Sequence, residues 1–250
     1  MIFKSSGTTG QTRSTHFVAN QEWYRKVSQQ HFESLYGKLD EWVVLALLPS
    51  YQENGESSLV FMAEHFIDQA LDESGFVLHQ PQQLIERLTT LQQRKQKTLL
   101  IGVSYALLDF ADCQDIDFPE LTIMETGGMK GRREELTREQ LHSAIRKGFP
   151  SSAINSEYGM TELLSQAYSL DGSWFTPPPW MKAYIREISD PLNTLPDGRR
   201  GLLAFVDLAN LDSCAFIQTK DIGVVNEHGQ FKVEGRLDHS DLRGCNLLYT

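Results

Sequence analysis

Between Lys4 and Arg13 the chain reads Lys-Ser-Ser-Gly-Thr-Thr-Gly-Gln-Thr-Arg, a run made of small residues, hydroxyls and a terminal cation. Gly7 and Gly10 let the backbone turn sharply and bring its N–H groups close to phosphate oxygens. Ser5, Ser6, Thr8 and Thr9 add hydroxyl donors, and Arg13 supplies positive charge. Such a loop suits a polyphosphate, although Ser/Thr/Gly clusters also make ordinary turns. It lacks the four-residue gap between glycines and the Lys-Ser/Thr pair of a P-loop, which argues against a Walker-type ATPase. The 3 cysteines, Cys113, Cys214 and Cys245, are widely spaced and sit in no Cys-x-x-Cys or Cys/His cluster. Neither a disulfide framework nor a zinc site is indicated. Cys113 and Cys214 stand among apolar residues and are expected in the core.

The elements that must position this loop alternate. Asn20 caps a helix with Tyr24, Val27, His31 and Leu35 on one face and Gly37 at its end. Trp42 to Leu48 is a continuous apolar run, the pattern of a strand covered on both faces. A loop from Pro49 to Ser57 leads to an amphipathic helix over Leu59 to Leu71. A short strand at Phe76 to Leu78 precedes a helix carrying Leu84, Ile85, Leu88 and Leu91. A buried strand at Thr98 to Val103, a helix opened by Ser104 and a strand at Leu121 to Met124 follow. Thr137 and Gln140 form a capping box for a helix reaching Lys147. This alternation predicts an α/β fold: a mostly parallel, doubly wound sheet with helices on both faces and ligand loops at the carboxyl ends of its strands. After the triple proline at 177 to 179 the segments shorten (Ala183–Ile188, Gly201–Asp207, Ala215–Gln218, Ile222–Val225, Gln230–Val233) and are separated by turns such as Pro196-Asp197-Gly198 and His228-Gly229. They predict an antiparallel, barrel-like subdomain. The expected division is 1–173 and 174–250.

Composition narrows the partners. The 250 residues are 40% hydrophobic and 22% charged, with a formal net charge of −10. These are the proportions of a globular protein, and the acidic balance argues against nucleic acid or an anionic membrane surface. No apolar run is long enough to span a membrane and none resembles a signal peptide, so a cytoplasmic location is expected.

Four further blocks occur in order after the opening loop: Glu125-Thr126-Gly127-Gly128, Tyr158-Gly159-Met160-Thr161-Glu162, Thr219-Lys220-Asp221-Ile222-Gly223 and Gly235-Arg236-Leu237-Asp238. Together they resemble the adenylate-forming superfamily of acyl-CoA ligases, luciferases and peptide-synthetase adenylation domains. The ending Asp241-Leu242-Arg243-Gly244-Cys245-Asn246 is similar to one branch, the acyl-protein synthetases of fatty-acid reductase complexes. The likeness runs from Phe3 to Leu248.

It implies ATP-dependent activation of a long-chain fatty acid to acyl-AMP, an AMP-forming ligase reaction needing ATP and Mg²⁺. A carboxylate attacks the α-phosphorus as pyrophosphate leaves, so donors and a metal must offset repulsion between two anions. Glu162 is the expected Mg²⁺ carboxylate. By resemblance Thr161 donates to the α-phosphate, Tyr158 lies on the adenine face, Gly127 and Gly128 pass the base with bare backbone, and Asp221 and Arg236 hold the ribose hydroxyls. Unaided, the Tyr158 to Glu162 stretch reads as a turn with a helix start. The resemblance makes Cys245 the acyl acceptor, forming a thioester for an acyl-protein (acyl-CoA) reductase partner. A thiolate is the competent nucleophile there, and Arg243 would favour it.

Ser50, Tyr51, Glu53 and Gly55 occupy the loop where relatives line the acyl pocket, whereas His16 and His65 are read as structural. Arg13 stands where many relatives have Lys, a fork in place of a point charge. Larger relatives continue into a mobile C-terminal domain, whereas the acyl-protein synthetases end near their cysteine, as this chain does at Thr250. Relatives also carry an N-terminal segment ahead of the phosphate loop, where only Met1 to Lys4 stand here. An acyl-CoA or other AMP-forming ligase, and a non-catalytic fragment or reductase-binding subunit, are the alternatives.

Overall fold

The computed structural model describes residues 1–5, 13–49, 55–112, 114–127 and 136–237. Two short strands, β1 (Ile2–Lys4) and β2 (Thr15–Phe17), pair antiparallel at the base of the loop that carries the Ser/Thr/Gly run. Helix α1 (Gln21–Tyr36) follows; Asn20 accepts hydrogen bonds from the backbone N–H groups of Glu22 and Trp23, as its side chain predicts.

Strand β3 (Val43–Leu47) is buried along its whole length. Then come α2 (Ser58–Gln69), β4 (Gly75–Phe76), α3 (Pro81–Gln93), β5 (Thr98–Val103), α4 (Ser104–Ala111), β6 (Leu121–Thr126), α5 (Arg138–Gly148), β7 (Ala153–Tyr158) and β8 (Ala167–Ser169). The sheet order is β4-β3-β5-β6-β7-β8, parallel except for the β7–β8 pair. Right-handed crossovers put α2 on one face and α3, α4 and α5 on the other. The direction of winding reverses between β3 and β5. The crevice beyond the carboxyl ends of the strands is therefore where a ligand of such a sheet sits.

Strands β9 (Met181–Arg186), β10 (Thr194–Leu195), β11 (Gly201–Asp207), β12 (Phe216–Val225) and β13 (Phe231–Arg236) form an antiparallel sheet in the order β10-β9-β11-β12-β13. A second hydrophobic cluster, with Phe175, Met181, Ile185, Phe205 and Phe231, lies here, distinct from the larger cluster of the parallel sheet.

Three expectations change. The segments at Ala215–Gln218 and Ile222–Val225 are one strand, β12, whose pairing shifts register between Ile222 and Gly223. The Tyr158 to Glu162 stretch is a turn, but it leads into β8 and not into a helix. Cys214 is exposed, its thiol donating to the Phe216 carbonyl at 3.4 Å. Apolar neighbours in sequence do not bury it, because the chain turns outward after Asn210 and leaves Leu211 and Phe216 67% and 72% exposed. Cys113 lies outside the described residues.

Candidate active site

The expected site residues come from segments spread along the chain. Ser5 and Arg13 stand on either side of the Ser/Thr/Gly loop; Ser5 and Ser14 exchange a backbone hydrogen bond of 3.0 Å, and Ser5 Oγ accepts from Ser14 N–H at 2.9 Å. Lys4 is tied to Glu56 by backbone and by an ion pair of 2.6 Å, so its charge is already matched. Arg13 is exposed. Ser6, Gly7, Thr8, Thr9, Gly10, Gly128, Cys245 and the acyl-loop residues Ser50, Tyr51 and Glu53 lie outside the described residues.

Gly127 leaves the end of β6 with φ +72, a left-handed backbone that disfavours any side chain. Ser104 Oγ lies 2.8 Å from its carbonyl oxygen and 3.2 Å from Glu125 Oε2. Behind it, Glu125 is ringed by Arg138, His142 and Ser104 from two helices, with Arg138 Nε 3.3 Å from its Oε1. Burial alone would raise this carboxyl, but hydrogen bonds with His142 and Ser156 and the charge of Arg138 hold it below its ordinary value. The Arg138 guanidinium also lies over the Phe175 ring, 4.5 Å from its centroid.

Tyr158, Asp221 and Arg236 form one line. The Tyr158 hydroxyl donates to Asp221 Oδ2 at 2.7 Å, and Arg236 Nε lies 3.9 Å from Asp221 Oδ1. Strands β12 and β13 set the second contact, because Asp221 and Arg236 are direct partners across them. The ring of Tyr158 packs among Phe175, Phe205 and Phe231 at centroid distances of 5.7, 5.6 and 5.1 Å. Burial, then the Asp221 carboxylate, pushes its hydroxyl far above the ordinary tyrosine value, so it stays a neutral donor. Thr219 fixes the approach to Asp221, its Oγ1 donating to the Leu203 carbonyl and accepting from the Asp221 N–H at 3.0 Å.

Thr161 and Glu162 lie half-buried in the turn after β7. Two residues that sequence reasoning passed over hold this turn. Asn210 donates to the Glu162 carbonyl at 2.7 Å and, through Oδ1, meets His16 Nε2 of β2 at 3.2 Å, so one amide ties the turn to the strand that follows the Ser/Thr/Gly run. Asp207, fully buried, accepts from the backbone N–H of Leu164, Ser165 and Ala209 and from the Ser165 hydroxyl. Asp207 ends the buried strand β11 and Asn210 closes the short 3-10 turn after it, and a lone polar residue in such a place was the signal for each. Their partners lie too far away in sequence for spacing to reveal.

Among the described residues no group of three or more His, Cys, Asp or Glu could hold a metal, and no helix is long and apolar enough to cross a membrane. A lone carboxylate such as Glu162 suits Mg²⁺, which is commonly held by one or two carboxylates together with substrate phosphates.

The fold matches solved adenylate-forming enzymes. ATP-bound MatB from Rhodopseudomonas palustris superposes with a TM-score of 0.67 at 17% identity, over 94% of this chain and 47% of that one. O-succinylbenzoate coenzyme A synthetase of Bacillus subtilis, in complex with ATP and magnesium, gives 0.62 at 17% identity over 94% and 49%. The luciferase-like enzyme of the mealworm Zophobas morio gives 0.63 at 16% identity, over 95% and 57%. In sequence, a long-chain-fatty-acid–luciferin-component ligase of Aliivibrio fischeri is 26% identical over 182 residues, 65% of this chain and 48% of that protein. The chain thus spans about half the length of the curated relative it matches. The family described as acyl-protein synthetase, LuxE, matches residues 56–250, and the chain belongs to that family.

Proposed function

We propose that this chain activates a long-chain fatty acid with ATP and passes the acyl group to Cys245. The observation that carries the reading is the line Tyr158–Asp221–Arg236. Residues matched to the adenine face and to the ribose, 63 positions apart in the first pair, meet through a 2.7 Å hydrogen bond beside the Gly127 turn. A fixed carboxylate acceptor and a guanidinium fork are what a ribose diol requires.

In this reading Asp221 and Arg236 hold the sugar, the Tyr158 ring meets the base, and Gly127 lets backbone pass it. Ser5, Arg13 and the residues between them hold the β- and γ-phosphates, and Thr161 donates to the α-phosphate. Glu162 holds Mg²⁺, which offsets the repulsion between the fatty-acid carboxylate and the triphosphate when bound. The carboxylate oxygen bonds to the α-phosphorus as the bond to pyrophosphate breaks. The Cys245 thiolate then bonds to the acyl carbonyl carbon and AMP departs with the C–O electron pair. A thioester is an activated acyl group, and a reductase that consumes it is the proposed partner. The division at 173/174 belongs to the same reading; the two hydrophobic clusters support two units, with Leu163 and Ala167 in the second and Ala209 in the first.

The test is fatty-acid-stimulated exchange of pyrophosphate into ATP, with a hydroxylamine-labile acyl label on the protein. Exchange without any label, accompanied by CoA-dependent thioester release, would replace the protein acceptor with CoA. A label that persists in Cys245→Ser would remove the cysteine from the scheme. Tight ATP binding with no exchange would make the chain a non-catalytic nucleotide-binding subunit.

A further inference from the structure

Two carboxyls stand side by side at the carboxyl ends of β6 and β7, on opposite faces of the sheet. Glu125 faces Arg138 and His142. Glu157, on the other face and only 6% exposed, has no such partner among the described residues; its hydrogen bond there is with the hydroxyl of Thr126, its register neighbour across the two strands. The titratable groups whose charges act on it are Tyr24 from α1, Tyr168 from β8, Tyr158 beside it and, from the opposite face, Glu125 of β6; none of these is cationic.

The second oxygen of Glu157 is placed as pointedly as the first. A β-carbon at Gly159 would fall 2.3 Å from Glu157 Oε1, so the carboxyl lies directly against the backbone of the Tyr158 to Glu162 turn. Gly159 is a glycine here for room, since its φ is not in the left-handed region. Gln166 flanks the same point, its Cγ 3.6 Å from that β-carbon position. Thr126, on the first oxygen, is the residue immediately before the Gly127 turn.

We propose that Glu157 is a positioning residue that clips the Thr126–Gly127 segment, through its hydrogen bond with Thr126, to the Gly159 backbone it packs against, and that loss of its proton weakens nucleotide binding through the buried charge it leaves. This rests on the adenylation reading given above. Burial, against the hydrogen bond from Thr126 and with the nearby Glu125 charge, pushes the Glu157 carboxyl up to about 7, so it changes charge within the physiological range. Its ionised form would place beside the Gly127 and Gly159 backbones an anion with no matching cation among the described residues. That charge opposes the binding of anionic ATP at higher pH.

The test compares the pH profile of ATP affinity, by calorimetry from pH 5.5 to 9, in the wild type, Glu157→Gln and Glu157→Ala. Glutamine keeps the shape and a donor but cannot ionise. The wild type should lose affinity relative to Glu157→Gln as pH rises through about 7, by about fivefold or more; Glu157→Ala should bind weakly at every pH. If Glu157→Ala does not fold, Thr126→Val, which keeps the volume and removes the hydroxyl, takes its place with the same expectation of weak binding. Wild-type and Glu157→Gln profiles that run parallel, or an alanine variant with full affinity, would overturn the clip while leaving ATP binding intact. A wild type that binds no ATP at any pH would instead bring down the adenylation reading itself.

Discussion

Removing one oxygen atom, by Tyr158→Phe, isolates the contact on which the proposed nucleotide site depends. The ring and its packing against Phe175, Phe205 and Phe231 remain, so a loss of base stacking is not at issue. What disappears is a 2.7 Å hydrogen bond to the Asp221 carboxylate. A hydrogen bond to a charged group contributes about 1.5–3 kcal/mol. The Asp221 side chain is 16% exposed, so water recovers part of this. About 1–2 kcal/mol should remain, or roughly 5- to 30-fold in ATP affinity. Arg236 cannot substitute for the lost contact, being 71% exposed and 3.9 Å away. Calorimetric titration with ATP and with 2′,3′-dideoxy-ATP discriminates the cause. If the hydroxyl aims Asp221 at the ribose diol, the variant loses affinity for ATP and little for the dideoxy compound. Equal loss toward both nucleotides would refute the reasoning, since the hydroxyl would then act on something other than the sugar.

Other consequences can be measured on the folded chain. Below about pH 4.5 Glu157 is protonated both folded and unfolded and has no effect on stability. As pH rises through about 7 the unfolded chain releases a proton that the folded chain retains. The wild type should therefore lose about 3 kcal/mol relative to Glu157→Gln between those limits in urea titrations; a constant difference would contradict it. Thr137→Ala breaks the capping box of α5, in which Thr137 and Gln140 bond reciprocally, and should lower stability by about 1 kcal/mol. Gly148→Ala would set a β-carbon 2.4 Å from the Ala111 carbonyl oxygen where α5 meets the end of α4, and should cost about 1–3 kcal/mol in chemical denaturation. Asp207→Ala strands three buried N–H groups and a hydroxyl and should cost about 3 kcal/mol or more, with fatty-acid-dependent exchange falling alongside.

The parallel strands were legible because burial on both faces leaves continuous apolar runs: Val43–Leu47 and Thr98–Val103 lie where their composition placed them. Strand β7 was not. Its Asn155, Ser156 and Glu157 are buried polar residues whose needs are met by Ser169, His142 and Thr126, partners that no periodicity encodes. Strand β12 read as two because polar Thr219, Lys220 and Asp221 interrupt its apolar positions and Gly223 marks the register shift. Within the site, resemblance alone singled out Tyr158, Asp221 and Arg236. It did not disclose that the tyrosine hydroxyl and the aspartate meet. His16 looked inert in the sequence, and its bond to Asn210 is structural, yet that bond joins the β1–β2 hairpin to the Glu162 turn.

That bond spans 194 positions of the chain. During synthesis, the opening hairpin must therefore wait for residue 210 to leave the ribosome before His16 can be locked, and Trp23 waits equally for the Ala209 carbonyl. The entropy of closing so long a loop grows only slowly with its length, so the contact costs little at equilibrium but comes late in time. A nascent chain halted before β11 would have its parallel strands in hand while the Glu162 turn still lacked its anchor. Assembly thus ends, and does not begin, with the part proposed to handle nucleotide.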